Sequence, residues 1–297
     1  MNTSVHTPTA MTNIVQPKSA QETSPSRVEI SDEELASLTN AIKTRFGIDF
    51  TCYEAKSLKR GFARLVARHE LGSLVGLWSK ILKDREFLIT YIDELLVNLT
   101  EMFRNPEVWV KIRTDLMEDL KTKPTINFWH AGCSTGEEIY SMAILLKEQH
   151  LLFKSKTVAS DLSTTALEQA KEGKYNAMLW KKYITAYQQF FPGGNPENYF
   201  TLQEKDFRVK DDLKRHVKFV RHNLVQEKMS QKFDVILCRN VMIYFDEALK
   251  MKVLRLFYDS LEDGGYFIIG YYDMLPEQSK TLFTLYDATT RIYKKNI

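Results

Sequence analysis

The spacing of apolar positions changes near residue 124. From about residue 30 to about residue 100 it is helical. Ile30 and Leu35 bracket Ser31 and Glu34, a hydrophobic staple around a capping box, so a helix is expected to begin there. Leu58, Phe62 and Leu65 recur on one helical face after Thr51 and Glu54, a second capping-box pair, and Gly72 is the expected C-cap. Lys56, Arg60, Arg64 and Arg68 recur every four residues on another face as a basic stripe. Ser73 and Asp84 are N-cap candidates for helices over 73–83 and 84–96. Together these predict a small all-helical domain over 28–100.

Beyond residue 124, short apolar runs alternate with amphipathic stretches. Strands are expected at 125–129, 157–160, 233–238 and 266–270, with helices at 137–148, up to Gly173, and 247–261. A closing hairpin is expected over 282–286 and 290–293. That alternation predicts an α/β fold with a mostly parallel, doubly wound sheet covered on both faces, over 101–297. The stretch 190–222 breaks the alternation. It carries Pro192-Gly193-Gly194 and a short alternating run at Val217–Val220, and reads as a small inserted antiparallel β-subdomain. Residues 1–27 are rich in Thr, Ser, Pro and Gln and lack aromatics. They cannot bury enough surface to offset their ordering entropy, so a disordered tail is expected.

Composition adds exclusions. Apolar residues make up 44% and charged residues 27%, as in an ordinary soluble domain. No apolar run is long enough to span a bilayer, and no signal peptide is evident. The net charge of +3 does not call for a nucleic-acid partner. Cys52, Cys133 and Cys238 lie far apart, and the six histidines are scattered. Neither a disulfide framework nor a metal site is expected, and the cysteines suit a reducing cytoplasm.

Candidate chemistry begins after the first strand. Gly132 and Gly136 lie in a turn that leads into a helix, where backbone N–H groups can cradle a ligand. Asp161 ends the second strand, where an acid accepts hydrogen bonds from ribose hydroxyls; its structural alternative is an N-cap, which Ser163 can fill instead. A dinucleotide or S-adenosylmethionine fits both features. The run Leu261-Glu262-Asp263-Gly264-Gly265 before a strand and a late hairpin resembles the second half of class I methyltransferases, which are Rossmann-like.

Four motifs sharpen this. They are Asn98-Leu99-Thr100-Glu101-Met102-Phe103-Arg104, Gly132-Cys133-Ser134-Thr135-Gly136-Glu137-Glu138, Ala159-Ser160-Asp161 and Cys238-Arg239-Asn240-Val241-Met242-Ile243-Tyr244-Phe245-Asp246. In this order they resemble the chemotaxis receptor methyltransferase family, CheR, from about residue 30 to the end. The resemblance implies methyl transfer from S-adenosylmethionine to chemoreceptor glutamates, giving methyl esters and S-adenosylhomocysteine. It implies cofactor contacts at Asn98, Thr100, Arg104, Glu138, Asp161, Asn223, Leu224, Arg239 and Asn240, with Tyr244 near the transferred methyl. It also implies a cytoplasmic enzyme, taken as a monomer, that meets the membrane only through its receptor. Two positions depart from the family pattern. Gly270-Tyr271-Tyr272-Asp273 stands where Gly-His-Ser-Glu is common, and Ile139 replaces a frequent proline.

The residue set suits that chemistry. A glutamate is ionised at neutral pH, its reference pKa being about 4.3, so it can attack a sulfonium methyl without a strong base. Arg104 and Tyr244 are then expected to orient the reacting groups. Ser134 and Glu137 have capping-box spacing, which leaves Glu138 as the ligand contact. Arg60 and Arg64 are the first candidates for docking acidic receptor helices, against the plainer reading of a solvated face. The rival readings are a class I methyltransferase acting on another protein, RNA or a small molecule, a non-catalytic S-adenosylmethionine-binding signalling adaptor, and, more distantly, a nicotinamide oxidoreductase.

Overall fold

The structure is a computed structural model that describes residues 28–51, 53–84, 87–88 and 100–297. The 1–27 tail, Cys52, Asn98 and most of the helix expected over 84–96 lie outside the described residues.

Helix α1 (Asp32–Phe46) starts as its sequence demands. Ser31 Oγ accepts from Glu34 N–H at 3.1 Å, and Glu34 Oε2 accepts from Ser31 N–H at 2.8 Å. Helix α2 (Ala55–Arg68) departs from expectation at both ends. Glu54 is itself the N-cap, its carboxylate taking the N–H groups of Lys56 and Ser57. Thr51 instead bonds Asp49 through its hydroxyl and its N–H. At the far end Glu70 takes the left-handed position (φ 52°), and Leu71 N–H reaches back to Val66 O at 3.0 Å. The helix has therefore closed before Gly72. Helix α3 (Leu74–Lys83) is capped by Ser73, as expected. These helices share a core that includes Leu38, Ile42, Phe62, Leu77 and Ile81.

A helical run over 106–120 then leads to the sheet. It opens with Pro106 in its first turn and contains a π-helical turn at Ile112–Leu116. The sequence reading assigned nothing to it. The main sheet has seven strands: β1 (Ile126–Ala131), β2 (Ser155–Asp161), β6 (Val217–Arg221), β7 (Phe233–Cys238), β8 (Leu261–Ile269), β9 (Phe283–Asp287) and β10 (Ile292–Lys295). Their spatial order is β6-β2-β1-β7-β8-β10-β9. The first five run parallel, β10 runs antiparallel beside β8, and β9, antiparallel to β10, runs in the direction of the first five. This is the class I methyltransferase arrangement. Both faces are covered, so the strands read as nearly continuous apolar runs. Phe128, Val235, Leu237 and Ile268 face one core, and Trp129, Ile236, Cys238 and Phe267 face the other.

A second sheet, β3 (Lys174–Asn176), β5 (Asp206–Val209) and β4 (Phe200–Leu202), is antiparallel. The inserted β-structure thus exists, but its strands begin before residue 190. Val217–Val220, expected within it, pairs instead with Thr157–Ser160 as the edge of the main sheet. A four-residue alternating run does not encode which sheet it joins; that choice is made by a partner some sixty positions earlier.

Candidate functional site

From β1 the chain steps outward through β2 to β6, then returns to β7 on the other side of β1. Such a reversal opens a crevice at the carboxyl ends of the strands. A cavity of about 950 Å³, its open mouth included, lies against the loops that leave β1, β2 and β7.

The loop after β1 is drawn tight. Gly132 and Cys133 donate to Ser160 O at 2.8 and 2.9 Å. Gly132 has φ 78°, and a Cβ there would sit 2.4 Å from a Val241 methyl, so only glycine fits. Gly136, at φ 94°, opens the helix Glu137–Glu148. The capping box expected between Ser134 and Glu137 does not form. Ser134 N–H instead crosses to Asp161 Oδ2 at 2.7 Å, and Glu137 accepts from Thr135 and Tyr183 hydroxyls at 2.6 and 3.0 Å. Burial pushes the Glu137 carboxyl above its ordinary range, those hydrogen bonds opposing it.

Asp161 faces the cavity and is 8% exposed. Its second oxygen takes Ser163 N–H at 3.0 Å, and Ser163 caps the next helix with its own hydroxyl. Asp161 is therefore free of capping duty. Glu138 lies between two partners, His130 Nδ1 at 2.8 Å and Arg239 Nη1 at 3.1 Å. Burial alone would raise its pKa, but the His130 hydrogen bond and the Arg239 charge outweigh it and hold the carboxyl below its usual range. Arg239 Nη2 continues to Arg104 O at 2.8 Å and Asn105 Oδ1 at 3.0 Å, tying the 104–105 turn to the cavity wall.

The loop after β7 is pinned from the far side. Asn240 is left-handed (φ 60°), and its N–H donates to Asp273 Oδ2 at 2.7 Å. The same oxygen accepts Gly270 N–H at 2.8 Å. Asp273 is fully buried, and burial raises its pKa against these backbone hydrogen bonds. Tyr244 closes a 3-10 turn, and its carbonyl accepts Glu54 N–H at 2.7 Å. Tyr53 forms an isolated bridge with Phe245, and their rings meet edge to face at 5.2 Å. Burial raises the Tyr244 pKa, while the cationic charges of Arg104, Arg60 and Arg64 pull it down.

Thr100, Arg104, Glu138, Asp161, Asn223, Leu224, Arg239, Asn240 and Tyr244 all line this one cavity. Asn98 lies outside the described residues. Arg60 and Arg64 are exposed on α2, close enough for Tyr244 to feel their charge. Asn223 shapes the wall through its own turn, accepting Val225 N–H at 2.9 Å and donating to Gln226 at 3.0 Å. Sequence reasoning missed Tyr53, Leu162 and His222, which also line the cavity, and His130, which is buried behind Glu138. No pattern in the sequence marks them; tertiary placement alone brings them in.

The donor set has unspent capacity. Ser134 Oγ, Arg239 Nε and Asn240 Oδ1 are buried without a protein partner among the described residues, and such groups ordinarily find one. An acceptor carboxylate beside a glycine cradle, with an acid–arginine pair next to it, fits a nucleoside that carries an amino-acid end. No group of His, Cys, Asp and Glu among the described residues is placed to hold a metal.

Comparison with known proteins agrees. Residues 98–292 match the family described as "CheR methyltransferase, SAM binding domain", and 33–96 match "CheR methyltransferase, all-alpha domain". A relative from Pseudomonas putida, provisionally named methyltransferase Cher3, is 32% identical over 81% of this chain and 88% of its own. A chemotaxis protein methyltransferase of Borreliella burgdorferi is 31% identical over 91% of this chain and 96% of its own. One from Vibrio parahaemolyticus is 30% identical over 82% and 90%. Among solved structures, the N-methyltransferase NodS of Bradyrhizobium japonicum aligns with 66% of this chain and 100% of its own at 12% identity and a TM-score of 0.35, too distant to carry weight.

Proposed function

The chain belongs to the CheR methyltransferase family and takes its methyl group from S-adenosylmethionine; we propose that the acceptor is a glutamate side chain of a chemoreceptor, converted to its methyl ester. One observation carries this reading. Arg104 and Tyr244 line the cavity together, and α2, which exposes Arg60 and Arg64, is joined to Tyr244 at its start by the Glu54 N–H to Tyr244 O hydrogen bond of 2.7 Å. A cationic approach of this kind favours an acceptor that arrives as a carboxylate.

S-adenosylmethionine, when bound, supplies a methyl group activated by its positive sulfur. The chain's own residues then have four tasks. Asp161 takes the nucleoside hydroxyls while its hydrogen bonds from Ser134 and Ser163 keep it fixed. Glu138, held ionised by His130 and Arg239, meets the ammonium of the amino-acid end. Thr100, Asn223, Leu224 and Asn240 complete the cofactor walls, and Asn98 belongs with them by motif. Arg104 and Tyr244 aim the incoming carboxylate, with effects on rate through orientation.

A general base has nothing to remove from an ionised acceptor. The carboxylates near the cavity already hold partners or face the cofactor: Glu138 with His130 and Arg239, Asp161 with the N–H groups of Ser134 and Ser163, Glu101 with Lys182, and Asp273 with main-chain N–H groups. Burial lowers the His222 pKa, so this wall residue is neutral near pH 7 and adds no charge. Arg60 and Arg64 dock the acidic receptor helix outside. Action in the cytoplasm, as a monomer on the receptors' cytoplasmic helices, belongs to the same reading, as does the division into helical domain, methyltransferase domain and β-insertion.

The test is incubation with methyl-labelled S-adenosylmethionine and membranes that carry the receptors of the source cell. Label on a receptor band supports the reading. Label that moves only to nucleic acid, another protein or a small molecule refutes it, and an enzyme that binds S-adenosylhomocysteine yet transfers no label favours an adaptor.

A further inference from the structure

The tetrapeptide Gly270-Tyr271-Tyr272-Asp273 departs from the family pattern, and nothing above uses its two aromatic rings. Tyr271 is 54% exposed, Tyr272 70% and Met274 63%. Three large apolar side chains in four positions, all open to water, are unusual on a surface without a partner. The rings meet edge to face at 5.1 Å, and the Arg291 guanidinium lies 5.9 Å from the Tyr271 ring centre.

This loop is fixed at the active-site mouth. β8 ends beside β7, Cys238 opposite Ile269, so the two following loops leave the sheet side by side. They touch directly, since a Cβ on Gly270 would fall 2.7 Å from Asn240 N. Asp273 then clamps them, one carboxylate oxygen taking the N–H groups of both Asn240 and Gly270. Asn240 lines the cavity. The loop that Asp273 clamps at Asn240 meets the start of α2 a few residues later, where Glu54 N–H bonds Tyr244 O at 2.7 Å and Tyr53 bridges to Phe245, so the root of the aromatic loop and the basic helix flank the same stretch of chain.

We propose that Tyr271 and Tyr272 form an aromatic rim that grips the apolar flank of the acceptor helix while Arg60 and Arg64 take its acidic face. The assignment rests on the receptor reading above and adds the chemistry of the segment recognised: an amphipathic helix with an apolar stripe beside its glutamates. Charge complementarity selects this occupant. A second copy of this chain would bring the same arginines to its partner, and a uniformly acidic peptide would leave the rings in water. Tyrosine suits the task, burying a large rigid surface at small entropic cost.

The test compares wild type with Tyr271→Ser/Tyr272→Ser and with Tyr271→Phe/Tyr272→Phe. The substrate is the cytoplasmic helical fragment of a receptor that the wild type methylates. The serine pair is expected to raise receptor KM about tenfold, the loss usual when aromatic anchors leave an interface, with kcat and S-adenosylhomocysteine affinity within twofold. The phenylalanine pair should stay near wild-type KM, because the rings and not the hydroxyls make the contact. An unchanged KM for the serine pair overturns the proposal. So does a matching loss of S-adenosylhomocysteine affinity, which would make the loop a cofactor wall. Failure of the receptor reading itself would look different: a wild type that methylates no receptor fragment.

Discussion

Replacing Asp161 with alanine removes the carboxylate from the cavity while leaving β2 paired on both edges. The next helix keeps its cap, since Ser163 Oγ bonds Ala166 N–H at 2.8 Å without help from Asp161. Two effects are expected. The free protein loses the acceptor of two buried donors, Ser134 N–H and Ser163 N–H, and each one left unpaired costs about 1–3 kcal/mol of stability. The bound state also loses the hydrogen bonds between an ionised acceptor and the nucleoside hydroxyls, about 1.5–3 kcal/mol. S-adenosylhomocysteine affinity should therefore fall about tenfold to over a hundredfold, at 1.4 kcal/mol per decade. Calorimetric titration measures this, with thermal melts in parallel. Ser163→Ala is the control: it removes a cap worth about 1 kcal/mol and should lower the melting temperature without moving the dissociation constant. Equal affinity for wild type and Asp161→Ala would take Asp161 out of the cofactor site and refute the reasoning.

Three further outcomes are expected. Arg104→Ala should lower kcat about a hundredfold at saturating cofactor and receptor, and weaken S-adenosylhomocysteine binding much less, because misorientation costs rate before affinity; unchanged turnover in rapid-quench assays would end its orienting role. Glu138 has a folded pKa below its unfolded one, so it contributes stability above the ordinary carboxylate range, and that contribution disappears as pH falls through the lower folded value. Glu138→Gln should thus be less stable than wild type at pH 7, with the gap closing below about pH 4, as read from denaturant midpoints; a gap that holds constant would refute the ionic role. Arg60→Glu with Arg64→Glu should abolish receptor methylation and leave S-adenosylhomocysteine affinity and melting temperature nearly intact. Wild-type methylation should slow as salt rises, since exposed charges are screened; normal methylation by the double reversal at low salt would reduce the stripe to a solvated face.

What the sequence reveals here depends on how local the determinant is. The helix Glu137–Glu148 and the strand Phe233–Cys238 fall where their periodicity puts them, because propensity, pattern and burial agree. The helix start at Asp32 is legible because both halves of its capping box lie within four residues. Ser134 has the same spacing to Glu137, yet its N–H goes to Asp161, 27 positions on, because β2 lies beside β1. Val217–Val220 joins the main sheet beside β2 for the same reason, a contact that its own spacing does not encode. Pro106–Lys111 and the turns after it are harder to read from the sequence although Val108, Ile112 and Leu116 carry a helical period; the π turn at 112–116 interrupts it.

The cavity shows the same division. Arg104, Glu138, Asp161, Arg239, Asn240 and Tyr244 were named from motifs and line one space. Tyr53 reaches that space because the segment before α2 bridges to Phe245, and His130 matters through a single contact to Glu138. Asp273 looked like a departure, yet its carboxylate holds the Asn240 loop in its left-handed turn. Pairwise contacts across the fold give these three residues their places, and no spacing rule encodes them.

The chemical nature of the transferred methyl bears most directly on the proposed activity. Receptor labelled by this enzyme with methyl-labelled S-adenosylmethionine should be isolated and split, one half held at neutral pH and the other made mildly alkaline. A glutamate methyl ester predicts label stable at neutral pH that leaves as volatile methanol in base. Label that stays on the protein in base, as an amine or ether would, contradicts carboxylate methylation.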